Sequence, residues 1–391
     1  MIDDKRRSQL CPTHPWITFQ ADLSRLSFKA WLQLGECASK CEHVAGVPLR
    51  PETERELRKL YLARGVQATT AIEGNTLSEE EVRRVIDHQL VLPPSRKYLG
   101  QEIENIVEAC GLITSRIEAG APDRITPEEI QEFNRIVLKD LTLDDPVVPG
   151  EFRTRVVTVG GYVAPNGRYV EGLVEALCEW LNGEEFRRPE FPIVFGILKA
   201  IVAHLYIAWI HPFGDGNGRT ARLLEFDILA RSGIPTPGAH LLSNHYNLTR
   251  AEYYRQLNRA SKKADVTQFV EYAVQGFRDG LREQLKLINA QVFDTCWRNF
   301  VYTSFGDART TAERRQRRLV LDLSKCDSPV PRSVLRTLSE KVSLNYARRT
   351  DRTLTRDLNE LVRRDLIVRE SGGYRAKKEI IRAFLPLRSG A

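Results

Sequence analysis

The sequence predicts a mainly α-helical protein: a helical core with one short β-hairpin, followed by a small C-terminal domain of helices and a strand pair. Helix caps and helical spacing of apolar residues recur along the chain, whereas only two short stretches are rich in β-forming residues. Apolar residues make up 42% of the chain, enough for sizeable cores. At about 150 residues per domain, the 391 residues predict two or three domains.

Charge is distributed unevenly along the chain. Residues 311–391 contain 20 Lys and Arg against 10 Asp and Glu, a net of +10, whereas the rest of the chain has a net of −3. A basic segment beside a near-neutral body indicates a separate module with an acidic partner. We therefore divide the chain into an N-terminal helical region (1–95), a core (96–290), a linker (291–310) and a C-terminal domain (311–391).

The first long helix is predicted to begin at Pro51, because proline favours the first helical position and glutamates follow in the first turns. Gly74 and Asn75 are typical of a helix end, and Ser78 to Glu81 predicts a capping box for the next helix. Thr126 is predicted to cap a later helix, at 127–138. These further helices are expected at 98–118, 127–138, 170–182, 192–210, 218–231, 249–261 and 266–290.

Residues 150–170 predict a short β-hairpin, because β-forming residues there precede a turn signal, Ala-Pro-Asn-Gly at 164–167. The longest apolar stretch, 193–210, contains Gly196, Lys199 and His204, whereas a membrane span needs about 20 mainly apolar residues, so it predicts a buried core helix. The start of the chain resembles no secretory signal. Cys37, Cys41 and His43 are too few for a structural zinc site. We expect a cytoplasmic protein with reduced thiols.

The most informative stretch is a glycine-rich loop that begins at His211 and leads into a helix, with the sequence His-Pro-Phe-Gly-Asp-Gly-Asn-Gly-Arg-Thr-Ala-Arg over 211–222. Its glycines let backbone N–H groups turn towards an anion, and the helix N-terminus faces the same space. Arg219 and Arg222 share one helix face and could grip phosphate. Asp215 fits a divalent cation, and His211 is suited to accepting a proton. The stretch therefore predicts a phosphate site with a proton acceptor beside it, although it fits neither the P-loop nor the dinucleotide-binding glycine pattern.

This stretch resembles the signature of the Fic family, H-x-F-x-[DE]-G-N-G-R-x-x-R, at every specified position. The resemblance extends over about residues 69–275. It includes the segment 159–162 (Val-Gly-Gly-Tyr), which is similar to the family's flap hairpin, and Tyr253 with Tyr254, which are similar to its paired tyrosines beside adenine. The implied fold is a mostly helical Fic core with a β-hairpin flap.

The resemblance implies a protein adenylyltransferase that uses ATP and Mg²⁺. His211 would deprotonate a Ser, Thr or Tyr hydroxyl of a target protein, which attacks the α-phosphorus as pyrophosphate leaves. Asp215 would hold Mg²⁺, Arg222 the γ-phosphate, and Phe213 would anchor the loop. The residues implied in binding the nucleotide are Val159, Gly160, Gly161, Tyr162, Gly216, Asn217, Gly218, Arg219, Thr220, Arg222, Tyr253 and Tyr254.

A second, shorter motif lies upstream, where Thr69 to Gly74 matches [ST]-x-x-x-E-[GN]. Its Glu73 falls in the last turn of a helix, where the dipole disfavours an anion, so the carboxylate is expected to have a cationic partner. In the Fic family an equivalent glutamate pairs with the second arginine of the signature, here Arg222. The resemblance implies intramolecular inhibition by Glu73.

In the C-terminal domain, Leu354, Leu358 and Leu361 mark one buried face of a helix, and residues 366–375 predict a strand pair with a glycine turn. The run from Thr353 to Leu358 is similar to the recognition helix of bacterial winged-helix repressors. Two interpretations stay open: a winged-helix-like domain that binds DNA through residues 311–391, or one used for protein contacts.

Adenylyl transfer is the leading hypothesis. The alternatives are the reverse hydrolysis of AMP from a modified protein, transfer of UMP or phosphocholine, and a DNA-binding regulator whose Fic core senses nucleotide. The intact His211 argues against a sensor, which needs no general base. The sequence leaves open the target, the direction of the reaction and whether the chain forms a homodimer; it indicates no membrane partner.

Overall fold

The computed structural model describes residues 11–382 of the chain. Helices dominate these residues, and the described strands form two small two-stranded sheets, so the predicted mainly helical fold class is confirmed. The chain divides between Lys286 and Leu287 into two compact units. Each unit has its own apolar core.

The first unit is built of helices joined by short loops, with a hairpin between the fifth and sixth. The helices are α1 (Phe28–Gly46), α2 (Pro51–Ile72), α3 (Glu79–Ile86), α4 (Lys97–Glu118), α5 (Pro127–Val137), α6 (Val170–Leu181), α7 (Pro192–Ile210), α8 (Asn217–Arg231), α9 (Thr236–Ala239), α10 (Leu241–Leu248) and α11 (Arg250–Lys263). Helix α12 (Thr267–Phe305) begins in this unit and ends in the second. The predicted caps are present, since Ser78 and Thr126 both form capping boxes.

Helices α7 and α8 form the centre of the first unit. Helix α7 is apolar along its whole length because it is buried on nearly all sides, as predicted for residues 193–210. It is long and apolar enough to cross a membrane by composition alone, but 78% of its apolar window is buried inside the protein. The end of α7 and the start of α8 carry the glycine-rich loop between them, so the central pair of helices positions that loop.

The hairpin consists of β1 (Thr158–Val159) and β2 (Tyr162–Val163), which pair antiparallel. Its turn is formed by Gly160 and Gly161, with Gly160 at φ 58°. The predicted turn at residues 164–167 lies after the hairpin and leads into a short 3₁₀ helix, Gly167–Tyr169. The hairpin is therefore shorter than the sequence suggests, because the two glycines turn the chain first.

The domain boundaries differ from those expected from the sequence. Residues 1–95 and 96–290 were assigned to separate regions, but α2 and α3 pack on α4 and share one apolar core with it. Residues 291–310 were expected to form a linker, yet α12 continues to Phe305. The reason is that Trp297 and Val301 are fully buried in the core of the second unit, so this part of α12 is packed.

The second unit contains the end of α12, then α13 (Thr311–Leu323), α14 (Glu340–Tyr346) and α15 (Asp351–Arg363), followed by strands β3 (Ile367–Glu370) and β4 (Gly373–Ala376). The expected three helices and strand pair are present. Val330 pairs with Tyr374 of β4 through two backbone hydrogen bonds of 2.8 and 2.9 Å. This isolated antiparallel bridge lies beside the β3–β4 hairpin. The winged-helix interpretation of this domain stays a prediction.

Close packing of α2 against the α9–α10 segment depends on Gly65. A β-carbon at this position would overlap the imidazole of the buried His240, which stacks on Phe226 with ring centroids 4.6 Å apart. We predict that Gly65→Ala lowers the free energy of unfolding by about 1–3 kcal/mol, because overpacking outweighs the gain in helix propensity of about 1 kcal/mol.

Chemical denaturation of the purified variants measures this effect. The control is Gly35→Ala in α1, where an added β-carbon meets no heavy atom within 4 Å. Gly35→Ala should be neutral or stabilising. A Gly65→Ala protein as stable as the Gly35→Ala protein would contradict the packing argument.

Candidate functional site

A cavity of about 400 Å³ opens between the glycine-rich loop, the hairpin and helices α7, α8 and α11. Its lining includes residues from the end of α2, the hairpin turn, the face of α11 and the start of α8. These residues are Ile72, Glu73, Val159, Gly160, Gly161, Tyr162, His204, Ala208, Trp209, His211, Asn217, Gly218, Ala221, Arg222, Tyr253, Tyr254, Leu257, Asn258 and Ser261. Elements distant in sequence therefore converge on one space suited to a small molecule.

The loop after α7 is held in a fixed shape by its own side chains. His211 ends the helix in the left-handed region at φ 49°. The side chain of Asn217 closes the loop, accepting from the backbone N–H of Phe213 and donating to its carbonyl, both at 2.9 Å. Phe213 is buried and lies against Phe152, with ring centroids 5.5 Å apart. Phe213 thus anchors the loop in the core.

Two residues outside the loop also hold it. Arg153 is buried and donates from Nε to the carbonyl of His211 at 2.7 Å and from Nη2 to that of Ile210 at 3.1 Å. Fully buried Asn134 donates to the carbonyl of Asp215 at 2.9 Å and accepts from the N–H of Gly150 at 2.9 Å. The loop is therefore preorganised by buried polar side chains.

The imidazole of His211 is kept neutral by its surroundings. Burial and, to a smaller extent, the positive charge of Arg153 lower the pKa of His211 to about 4 against the opposing influence of Glu73. At neutral pH the ring therefore has one unprotonated nitrogen, the form that can accept a proton.

Arg222 also lines the cavity, and it is held by α2. The guanidinium is buried and donates from Nε to the hydroxyl of Thr69 at 2.7 Å and from Nη2 to its carbonyl at 3.0 Å. Nη2 also donates to Oε1 of Glu73 at 2.6 Å. The carboxylate of Glu73 is 32% exposed, so it remains open to the cavity while it pairs with the arginine.

Glu73 lies directly against the start of α8. A β-carbon at Gly218 would overlap the carboxylate, so only a glycine leaves room for it there. Burial opposes the charge of Glu73, but Arg222 and Arg219 together lower its pKa. The positive end of a helix and two arginines make this an anion site, and the carboxylate is the anion that fills it.

Arg219 faces a different carboxylate. Its Nη1 donates to Oε1 of Glu102 at 2.9 Å, and Asn75 donates to the other oxygen of Glu102 at 2.8 Å. Asp215 is more exposed, with 53% of its side chain accessible, and its Oδ1 lies 3.6 Å from Nη2 of Arg219. Both signature arginines are thus paired with carboxylates, and Asn75 joins the Glu102 contact to the chain just after Glu73.

A buried polar network lies behind the tyrosine wall of the cavity. The hydroxyl of Tyr253 is hydrogen-bonded to Nε2 of His204 at 2.9 Å, and Nδ1 of His204 lies 3.0 Å from Oε2 of Glu225. Tyr246 donates to the other oxygen of Glu225 at 2.8 Å. Tyr253 is buried, whereas Tyr254 is 49% exposed. The network fixes the ring of Tyr253. Tyr254 also lines the cavity, and its hydroxyl donates to the carbonyl of Ile72 at 3.4 Å.

The hairpin is attached to the cavity wall from both sides. Tyr162 donates its hydroxyl proton to the carbonyl of Trp209 at 2.8 Å. Nε2 of His14 lies 2.8 Å from the carbonyl oxygen of Val163. Val159 stays 46% exposed at the tip. The hairpin thus covers one side of the cavity beside His211.

Most of the residues expected at a nucleotide site lie together in the cavity wall. These are Glu73, Val159, Gly160, Gly161, Tyr162, His211, Asn217, Gly218, Arg222, Tyr253 and Tyr254. Four others lie outside the wall. Asp215 and Arg219 have the partners described above, and the other two, Gly216 and Thr220, are buried at the start of α8. Gly216 packs on Asn134 at φ 75°, and Thr220 is fully buried with its hydroxyl 3.2 Å from Asn134.

Several site residues had not been expected from the sequence. Leu257, Asn258 and Ser261 follow Tyr254 at helical spacing, so the face of α11 that carries the tyrosine pair could have indicated them. His204 is seven residues before His211 on α7, which also indicates a shared face. Arg153, Asn134 and Glu102 gave no such signal, because their contacts to the loop are made across the fold.

Comparison with known proteins agrees with the features of this site. Residues 124–229 match the model of the Fic/DOC family, so the chain contains a Fic domain and the resemblance of its signature is confirmed.

Relatives extend the match beyond these residues. The chain is 34% identical over 218 residues to the protein adenylyltransferase fic-1 of Caenorhabditis elegans, which covers 56% of this chain and 40% of the relative. It is 30% identical over 219 residues to the protein adenylyltransferase Fic of Nematostella vectensis, covering 56% of this chain and 47% of the relative. The chain therefore spans less than half the length of these curated relatives.

Solved structures agree on the fold. A Fic family protein from Desulfovibrio desulfuricans G20 aligns over 91% of this chain and 98% of its own, with a TM-score of 0.55 and 22% identity, a likeness of fold alone. A Fic-1 fragment from Caenorhabditis elegans aligns over 67% of this chain and 73% of its own, with a TM-score of 0.55 and 28% identity.

Proposed function

We propose that this protein is an adenylyltransferase that moves AMP from ATP to a hydroxyl side chain of a protein. The observation that carries the proposal is that two chemistries line one cavity: neutral His211, and an anion site formed by the cationic start of α8 with Arg222. A proton acceptor and an anion site in the same cavity suit transfer of a phosphate-linked group. The relatives are named protein adenylyltransferases, and this supports adenylyl transfer as the proposed reaction.

In the proposed reaction, His211 accepts the proton of a Ser, Thr or Tyr hydroxyl beside the hairpin. The oxygen attacks the α-phosphorus of ATP and pyrophosphate leaves. The N–H groups at the start of α8 and the guanidinium of Arg222 stabilise the charge on the phosphates. Catalysis then rests on positioning and on fixed dipoles, since the buried side chains of Arg153, Asn134 and Asn217 hold the loop in place.

Asp215 is the residue proposed to hold Mg²⁺. Among the residues that the structure describes, no group of three potential ligands surrounds a metal position. A single exposed carboxylate nevertheless fits, because Mg²⁺ in nucleotide sites is bound by one or two carboxylates together with phosphates and water. The ion would offset the phosphate charge beside Asp215.

Glu73 is proposed to restrain this activity. Its carboxylate occupies the anion site and takes Nη2 of Arg222, so a terminal phosphate and Glu73 compete for one guanidinium. With Glu73 in place, bound phosphates lie away from the productive position. A misplacement of about 1 Å can cost on the order of 100-fold in rate.

We predict that Glu73→Gly raises incorporation of label from α-labelled ATP by about 100-fold over the original protein, because Arg222 becomes free to bind phosphate. The measurement is label per enzyme at saturating ATP with Mg²⁺, with self-modification as the readout. Glu80→Gly, at an exposed glutamate in the first turn of α3, is the control and should leave incorporation unchanged.

Equal incorporation by the original protein and Glu73→Gly would refute the restraint. The structure also favours one alternative, hydrolysis of AMP from a modified protein, because the 32% exposed carboxylate of Glu73 could orient water in the cavity. Purified AMP-modified protein distinguishes the two. Loss of its de-modification in Glu73→Gly, without a gain in transfer, would favour the hydrolase.

We also predict that His211→Ala abolishes transfer in the Glu73→Gly background while ATP still binds, because Arg222 and the start of α8 are unchanged. Isothermal titration with ATP and the label assay separate the two effects. Full transfer by this double variant would exclude His211 as the base.

The pH dependence tests the same role. Because burial lowers the pKa of His211 to about 4, the imidazole remains neutral well below its ordinary range. We predict that kcat/KM of Glu73→Gly is nearly flat from about pH 8 to about pH 5 and falls only as the pH approaches that pKa. Removing Glu73 also removes a charge that raises the pKa of His211. A fall centred near the ordinary histidine pKa of about 6.5 would contradict a buried, neutral base.

A further inference from the structure

The second unit contains a helix pair whose inner face is fixed by buried polar contacts. Helices α14 and α15 are joined by the turn 347–350, the length found in helix-turn-helix motifs. Arg336 holds this turn, donating to Oδ1 of Asp351 at 3.0 Å and to the carbonyl of Tyr346 at 2.8 Å. On the inner face of α15, buried Asp357 accepts from Arg315 at 2.6 Å and Tyr346 at 2.8 Å. The outer face is therefore presented on a rigid support.

The outer face carries arginines that lack carboxylate partners. Many basic side chains of this unit are paired with acids, among them Arg315, Arg318, Arg336, Arg363, Arg364, Arg375, Lys377 and Lys378. Four arginines lie together within residues 348–356: Arg348, Arg349, Arg352 and Arg356. All four are exposed, and none forms an ion pair with any residue in the described part of the chain. We call these four residues the arginine patch.

The arginine patch lies along the first half of α15 and the turn before it. Arg352 and Arg356 are four residues apart and share one helix face, and Arg348 and Arg349 precede the helix. Arg332 ties a neighbouring segment to this face by donating to the hydroxyl of Thr355 at 2.7 Å. Four unpaired guanidinium groups this close repel one another, so the surface favours binding of a polyanion.

The shape of the surface selects one kind of polyanion. Helix α15 is 13 residues long, about 20 Å, and a helix about 10–12 Å wide fits the DNA major groove, which is about 12 Å wide. In helix-turn-helix proteins it is the start of the second helix that meets the base edges, and here that start carries Arg352 and Arg356. Arginine can bind a guanine edge through two hydrogen bonds, and threonine can bind phosphate.

Other acidic partners fit the surface less well. Residues 347–363 include no aromatic side chain on which the bases of a single strand could stack. Within 348–356 the apolar residue is Leu354, which is buried, so the segment offers nothing to insert into a membrane.

We propose that the second unit binds double-stranded DNA, with α15 in the major groove and the arginine patch on phosphates and base edges. This function is independent of the proposed transfer reaction, since it uses none of the cavity residues.

The test measures binding of the full chain to a fluorescent 20-base-pair duplex by anisotropy, at salt concentrations from about 50 mM to about 200 mM. The logarithm of affinity should fall linearly with the logarithm of salt. Arg352→Gln with Arg356→Gln should weaken binding about tenfold or more at low salt and reduce the slope by about 2, since two contacts are lost.

The matched control is Arg309→Gln with Arg314→Gln, which removes the same charge from the same unit. Glu313, beside Arg314, interacts with Arg364, so this control lies near the opposite end of α15 from the arginine patch. Circular dichroism and transfer activity in the Glu73→Gly background show that each variant is folded, and a failure to bind DNA is thereby distinguished from a failure of the enzyme.

Weakened binding in the arginine-patch variant and unchanged binding in the control would support the proposal. Three results would overturn it: no duplex binding at about 50 mM salt, equal affinity of the two double variants, or tighter binding of the single strand than of the duplex.

Discussion

The ion pair between Glu73 and Arg222 is the contact on which the arrangement of the first unit depends. A guanidinium buried as deeply as that of Arg222 needs a partner, because an unpaired buried charge is strongly destabilising. Thr69 and Glu73, both near the end of α2, satisfy it. The docking of α2 against α8 and the state of the cavity are thus set by the same side chains, so any ligand that takes Arg222 must displace a structural contact.

On the other side of the loop, too, one side chain serves both the structure and the site. Arg153 donates to carbonyls at the end of α7, and its charge also keeps His211 neutral. Asn134 and Asn217 hold the loop backbone without adding charge. Since positioning supplies much of the rate in phosphoryl transfer, we regard these buried side chains as part of the proposed machinery although they touch no substrate.

The two units differ in whether the arginines discussed above are paired with carboxylates. In the first, both signature arginines are paired with carboxylates, Arg222 with Glu73 and Arg219 with Glu102. In the second, the arginine patch is exposed and unpaired among the residues described. Paired arginines can be released by a change within the chain, whereas unpaired ones are ready to meet an external polyanion.

The sequence alone determined the helical class, the helix caps at Ser78 and Thr126, and the anion loop of residues 211–222. These features are local: a cap, a glycine loop and a helix start each depend on neighbouring residues. It also indicated Glu73, because an anion at a helix end needs a cation. Only the tertiary structure decided the rest. Residues 291–305 became helix because Trp297 is buried in the second core. Arg153 contacts the loop, and Glu102 contacts Arg219, across more than 50 residues of sequence. No local sequence pattern encodes such contacts.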